Sequence, residues 1–336
     1  MQLNATEAPP ARGVWSLLSS APLVCYVILV LVGILGNTVV ICVVGDDIIR
    51  KQKVRRNSDM ILVNMAFSNL TVSIVRNLLL VLTDMQIEML TSKTWCQVLM
   101  GIWVWLRCAN VWSTFFVSAF HFQTLRRTAP PTAGVRGPPR SLIMGFGLIW
   151  TLNFIYSVPA FVFSTKGGKN ATETLMLVSS TTRPLLGCLW DFPSVYSGLA
   201  FATASMVIHE IIPIVLMSVT NLGSLLTLYA HGSKLHATNK SQQDPTMNRV
   251  PAERRAAKVI LALIILFITS WGASVVSVNY FNYNRGPSSA YMLTVARFSN
   301  SAFIALSPFI LAVGHRRLRA VLTSVLTCNC TRSVKA

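Results

Sequence analysis

Apolar residues run along this chain in seven long stretches separated by short polar connectors. A helix that crosses a bilayer needs about 20 mostly apolar residues. The stretches fall near 21–44, 60–83, 97–120, 141–163, 196–229, 257–281 and 290–313. They predict an all-α membrane protein, a bundle of seven transmembrane helices forming one domain over residues 21–313. Residues 1–20 precede it and a tail of 314–336 follows, and no connector is long enough for a further domain of useful size.

Within the spans the polar positions are periodic. In the third span Cys96, Met100, Trp103, Arg107, Asn110, Thr114, Ser118 and His121 recur at steps of three and four, which places them on one helix face. Asn69, Ser73 and Arg76 repeat the pattern in the second span, and Arg297 stands one turn from Asn300 and Ser301 in the seventh. Each stripe is expected to face the bundle interior. An ionised side chain at mid-bilayer costs roughly 3 kcal/mol or more, so charges there mark candidate function. Four qualify: Arg76, Arg107, Glu210 and Arg297.

Arg107 lies roughly 16 Å inward of Cys96, and Arg297 about 10 Å below the outer start of its helix, by the rise per residue. Both depths suit an outward-facing cavity. His209 and Glu210 stand just before Pro213 in the fifth span. Glu210 can neutralise only one of the three guanidinium groups, so positive charge is left for a ligand to meet. This surplus predicts a small anion such as a carboxylate, held bidentately by one arginine. The expected ligand-binding set is Arg76, Trp103, Arg107, Asn110, His209, Glu210, Trp271 and Arg297. The alternative reading has the arginines snorkelling to the outer surface or bonding backbone carbonyls, and it is strongest for Arg76.

Composition agrees with a lipid environment: 53% of the 336 residues are hydrophobic and 12% charged, and mean hydropathy is +0.56. The net charge of +18 would fit nucleic-acid binding only if it formed a patch. Instead 20 of the 29 Lys and Arg residues fall in 45–57, 122–140, 230–258 and the tail, and six fall on the opposite side. That asymmetry puts the N-terminus outside and the tail in the cytoplasm, where the basic residues also favour anionic lipid headgroups. Residues 1–20 lack the pattern of a cleaved leader, so the first helix is expected to serve as an uncleaved anchor.

Sequons at Asn4 and Asn170 lie on the outer side and are expected glycosylation sites; those at Asn69, Asn239 and Asn329 lie in a span or on the cytoplasmic side. Of seven cysteines, Cys96 and Cys188 face the oxidising side outside the spans. A disulfide between them is expected, the alternative being two unpaired thiols. Cys25, Cys42 and Cys108 are expected to pack inside spans. Cys328 and Cys330 follow a basic amphipathic stretch, 315–326, and are lipidation candidates. The five histidines, His121, His209, His231, His236 and His315, show no metal-ligand spacing. No metal, cofactor or enzyme chemistry is expected. A small-anion transporter using the intramembrane arginines is the competing class, but neither internal repeats nor broken helices are evident.

Several residues fall where rhodopsin-like G-protein-coupled receptors have theirs: Gly36-Asn37, Cys96 with Cys188, Trp150, Pro213, Phe267 with Trp271, and Pro308. The departures are equally specific. Asn69 replaces the sodium-site aspartate, Phe120-His121-Phe122 the acidic-arginine-aromatic triplet, Ala273 a proline, and Ser307-Pro308-Phe309-Ile310-Leu311 the helix-seven motif. With His209-Glu210, Leu228-Tyr229-Ala230-His231, Glu253-Arg254-Arg255-Ala256-Ala257-Lys258 and the Asn170 sequon, the set resembles the vomeronasal type 1 receptors. His121 to Arg127 looks most like their fish counterparts, the olfactory receptors related to class A. The resemblance covers nearly the whole chain. It implies pheromone or odorant detection at the plasma membrane of sensory neurons and signalling through a heterotrimeric G protein, of the inhibitory class.

With the usual inner arginine absent, the resting state needs another clamp. Glu253 is the available acid, paired with Arg126, Arg127 or a protonated His121, and such an exposed pair contributes only about 0–1 kcal/mol. The equal alternative is that Glu253 is an ordinary solvated residue at a helix start. Phe267 and Trp271, four apart, are expected to carry ligand contact inward or simply to pack. Asn69 in place of an acid predicts no sodium modulation.

Overall fold

The computed structural model describes residues 12–50, 57–85, 92–126, 140–167, 179, 181–182, 185, 187–238, 250–284, 290–315, 317–321 and 323–324. Seven helical rods carry the fold. α1 is Arg12–Arg50. α2 runs Asn57–Val72, passes through a widened turn at Ser73–Leu78 and ends with Leu79–Asp84. α3 is Lys93–Arg126 and α4 is Arg140–Val162. α5 runs Val195–Met206, widens over Val207–Ile211 and continues as Ile212–Thr238. α6 is Val250–Asn284 and α7 is Ala290–Gly314.

All seven expected spans are found. α1 begins earlier than the apolar run that predicted it, because nothing in 12–20 breaks a helix. Six of the rods are apolar and long enough to cross a membrane, and α3 is the one that falls short. The physical reason is position. α3 packs against α2, α4, α5 and α6 in the middle of the bundle, so it has little lipid-facing surface to keep apolar. Its Arg107, Asn110, Ser113, Thr114 and Ser118 are all buried. α4 shows the opposite condition, with Leu148, Leu152, Phe154, Ile155 and Val158 exposed. Apolar groups outside and polar groups inside invert the pattern of a water-soluble protein and suit a protein solvated by lipid.

Proline explains two local features. Pro213 has no N–H to give the His209 carbonyl one turn earlier, and the helix widens over Val207–Ile211. Pro308 likewise deprives the Ile304 carbonyl of its helical donor. The Asn37 side chain on α1 replaces that donor, Nδ2 giving a hydrogen bond to Ile304 O at 2.9 Å. Gly36 permits the approach, since a Cβ there would sit 2.9 Å from the Pro308 ring. No proline accounts for the widened turn in α2.

A neutral polar layer crosses the bundle at the level of Asn37, which accepts from Asn69 at 3.4 Å. Asn110 donates to Asn69 Oδ1 at 2.7 Å and to Ser68 Oγ at 3.1 Å, and Asn69 donates to Ser307 Oγ at 3.2 Å. These side chains answer one another, as buried polar groups in lipid must.

At the outer end, β1 (Ser164–Lys166) pairs antiparallel with β2 (Cys188–Trp190), Thr165 opposite Leu189. Gly187 turns the chain into β2 with φ 74°, a left-handed conformation that favours glycine. The expected disulfide joins Cys96 at the top of α3 to Cys188 in β2. At the inner end, residues 317–321 form a short helical segment, with Arg317 ion-paired to Asp47 of α1 and His315 3.9 Å from Asp59 of α2. Cys108 is buried as expected, whereas Cys25 and Cys42 are exposed rather than packed inside the bundle.

Candidate functional site

The inward faces of α2, α3, α6 and α7 build one cluster. Arg76 reaches it from the widened turn of α2, and its guanidinium lies 5.1 Å from the centre of the Trp103 ring. Arg107, one turn below Trp103 on α3, lies 5.8 Å from that ring and 3.4 Å from the ring of Trp271 on α6. Arg107 Nη2 donates to Asn300 Oδ1 at 2.7 Å, and Asn300 in turn donates to Ser274 Oγ at 2.8 Å. Arg76 is 6% exposed and Arg107 2%, so neither snorkels to the surface.

Neither arginine has a counter-ion among the described residues. Among the described residues no carboxylate oxygen lies within ion-pair distance of either. Arg76 Nε, Arg107 Nε, Trp103 Nε1 and Trp271 Nε1 are buried donors without an acceptor. Cation–π contact with a desolvated ring returns about 2 kcal/mol. The effective cost of burying each charge is several kcal/mol, so the aromatic faces offset it only in part. The cluster therefore holds buried positive charge that no carboxylate among the described residues neutralises by direct contact.

Arg297, expected on the wall of the cavity as one of three arginines for which Glu210 could neutralise only one, has a carboxylate of its own. It forms an ion pair with Asp84 at the outer end of α2. Its guanidinium lies 4.2 Å from the ring centre of Tyr26 on α1. Tyr26 donates to Asn77 Oδ1 at 3.2 Å, the same oxygen that accepts from Arg76 Nη1 at 3.5 Å. Arg76 thus lies between Arg297, which it meets through Tyr26 and Asn77, and Arg107, with which it shares the Trp103 ring.

Glu210 is fully buried at the widened turn of α5, and it takes its hydrogen bonds from the outer loop. Its Oε1 accepts from Ser179 Oγ at 2.7 Å, from the Thr181 N–H at 3.0 Å and from Thr181 Oγ1 at 3.3 Å. It forms no ion pair with an arginine among the described residues. His209 turns away from the arginines, its Nδ1 accepting from Trp112 Nε1 at 3.1 Å and its ring 4.4 Å from that of Tyr156. Asn110, expected in the ligand set, has its amide engaged in the polar layer below.

The structure thus gathers Arg76, Trp103, Arg107 and Trp271, sets Arg297 at the mouth, and holds His209, Glu210 and Asn110 in separate contacts. Sequence reasoning missed Asp84, Tyr26 and Asn77, and placed Asn300 on an inward stripe without assigning it to the site. Asn300 was legible as part of the stripe carrying Arg297; Asp84 was hidden by its place at a span's end. Below the cluster, Trp271 stacks on Phe267 with ring centres 5.6 Å apart, and Phe267 meets Phe303 edge-on at 4.9 Å. On the inner face, Arg126 lies 5.3 Å from the Phe122 ring. His121 is partly buried at the end of α3. Asn4, Arg127, Asn170, Cys328, Cys330 and the side chain of Glu253 lie outside the described residues.

This architecture matches known proteins along most of its length. Residues 36–310 match the family described as 7 transmembrane receptor (rhodopsin family). The chain is 38% identical to olfactory receptor class A-like protein 4 of Danio rerio, over 93% of this chain and 91% of that relative. It is 28% identical to olfactory receptor class A-like protein 1 of the same species, over 86% of this chain and 87% of the relative. Its fold is similar to that of squid rhodopsin, with a TM-score of 0.67 over 93% of this chain and 82% of that one, at 18% identity. Members of this family are receptors and not enzymes, and the match does not favour the transporter reading. The chain belongs to the rhodopsin family of seven-transmembrane receptors.

Proposed function

We propose that this receptor is chemosensory and binds a small organic anion at Arg76 and Arg107, between the indole rings of Trp103 and Trp271. One observation carries the reading: two arginines at 6% and 2% exposure, with no carboxylate in ion-pair distance among the described residues. A carboxylate ligand supplies the missing acceptor, and charge-assisted hydrogen bonds from a guanidinium are about twice as strong as neutral ones. The printed names of the Danio rerio relatives, olfactory receptor class A-like proteins, support the chemosensory part. The vomeronasal type 1 resemblance supports placing the receptor in sensory neurons, with an inhibitory-class heterotrimeric G protein as partner.

Signal transfer follows from the contacts. An anion that draws Arg107 off Trp271 and Asn300 loosens the tie of α3 to α6 and α7, and Trp271 passes the change to Phe267. At the inner face His121, Arg126, Arg127 and Glu253 form the surface that meets the G protein, with Glu253 pairing to the end of α3 in the resting state. Glycans at Asn4 and Asn170 mark the outer side.

The test is a panel of benzoate, hexanoate, benzylamine and neutral odorants applied to cells expressing the receptor with a promiscuous G protein. Responses confined to the carboxylates and lost in Arg107→Ala are expected. Responses to benzylamine that survive Arg107→Ala refute the anion reading and move the weight to Glu210.

A further inference from the structure

Three guanidinium groups line the outer half of the bundle at graded burial, and each rests on an aromatic face. Arg297 is outermost, its side chain 21% exposed and lying over Tyr26. Arg76 is next, over Trp103, and Arg107 is innermost, over Trp271. Only the outermost has a carboxylate partner among the described residues, and that partner is the protein's own Asp84, whose side chain is 33% exposed. Tyr26 connects the levels: beneath Arg297, it shares the Asn77 carbonyl oxygen with Arg76 and accepts from Ser301 Oγ at 3.4 Å.

We infer that Asp84 is a specificity-determining residue, a tethered carboxylate that occupies the outermost arginine and competes with ligand anions for the site. The inference rests on the anion reading of the Arg76–Arg107 cluster. Asp84 presents to Arg297 the same functional group that the inner arginines lack, so a free carboxylate arriving from outside meets Arg297 already engaged. Anions that bind Arg297 weakly are screened by this competitor, whereas those that also reach Arg76 and Arg107 gain contacts that Asp84, fixed to α2, does not make. Specificity here comes from an opposing element as well as from attraction. Arg297 without Asp84 is a freely available anchor; Asp84 without Arg297 is an unpaired negative charge at the mouth that repels the same ligands.

The experiment is thermal unfolding of the purified receptor titrated with sodium benzoate at constant ionic strength, using sodium chloride to balance. A ligand that binds only the folded state raises Tm in proportion to its occupancy, so the titration yields an apparent half-saturating concentration. Asp84→Asn keeps a hydrogen-bonding side chain of the same size and is expected to lower that concentration about fivefold or more. Asp84→Glu keeps the charge and is expected to stay near wild type, and Arg297→Ala is expected to raise it. If Asp84→Asn lowers Tm in the absence of benzoate but leaves the half-saturating concentration as in wild type, Asp84 is only a structural tie and the inference is overturned. If benzoate stabilises wild type and Arg107→Ala equally or stabilises neither, the anion reading itself fails and takes this inference with it. The two failures are distinguishable, because only the first leaves Arg107→Ala insensitive to benzoate while wild type responds.

Discussion

Arg107 lays its guanidinium 3.4 Å from the centre of the Trp271 ring while donating to Asn300, so one side chain of α3 holds both α6 and α7. Trp271→Leu removes the aromatic face and leaves the buried charge with one fewer partner. The expected outcome is a loss of about 1–3 kcal/mol in thermal stability. Trp271→Phe keeps a weaker face and is expected to lose less. Unfolding of the purified variants in detergent checks the order.

Glu210 fastens the second outer loop from below. Replacing it with leucine strands the Ser179 and Thr181 hydroxyl groups without their acceptor, each costing roughly 1–3 kcal/mol if left unsatisfied, and leaves the Thr181 N–H with Ser179 Oγ alone. Glu210→Gln retains an acceptor oxygen at the same reach. Glu210→Leu is therefore expected to destabilise clearly more than Glu210→Gln, measured by the unfolding temperature of each. Equal loss in both variants shows that the carboxylate charge, and not its acceptor role, holds the loop.

The disulfide closes a long loop, Cys96 and Cys188 being 92 residues apart. Loop-closure entropy alone assigns such a bond about 4.6 kcal/mol. Cys96→Ser with Cys188→Ser is expected to lower Tm by several degrees and to reduce the amount of receptor at the cell surface. Reduction of the wild type with dithiothreitol is expected to reproduce the shift.

Close approach of α3 and α4 depends on Gly101. A Cβ at that position would lie 2.3 Å from the Phe161 ring, which no packing tolerates without movement. Gly101→Ala is expected to cost about 1–3 kcal/mol as an overpacked contact. Adding Phe161→Leu is expected to recover part of that loss, a coupling that a double-mutant cycle on thermal stability measures directly.

The seven rods were legible because lipid imposes a simple rule on composition, and α3 came from the same apolar pattern although it falls short of the other six, its periodic polar face giving only its inward side. Cys96 with Cys188, and the inward aim of Arg76 and Arg107, followed from the same topology. Partner choice was not legible. Asp84 sits at the end of a span, where a carboxylate reads as solvated, and only the fold brings it across to Arg297. Ser179 and Thr181 come from a loop whose sequence gives no sign that it reaches the buried Glu210. His209 neighbours Glu210 in sequence, yet the widened turn before Pro213 sends it to Trp112 and Tyr156 instead. Tertiary contact, not local pattern, decides each of these.

Completion of the buried arginine pair by a ligand's negative charge is tested by the Tm of the purified receptor titrated with benzoate and, in parallel, with benzamide, which has the same ring and no charge. Benzoate is expected to raise Tm in wild type, benzamide is not, and Arg107→Ala is expected to abolish the benzoate effect. Equal shifts from benzoate and benzamide, or a benzoate shift that persists in Arg107→Ala, would overturn it.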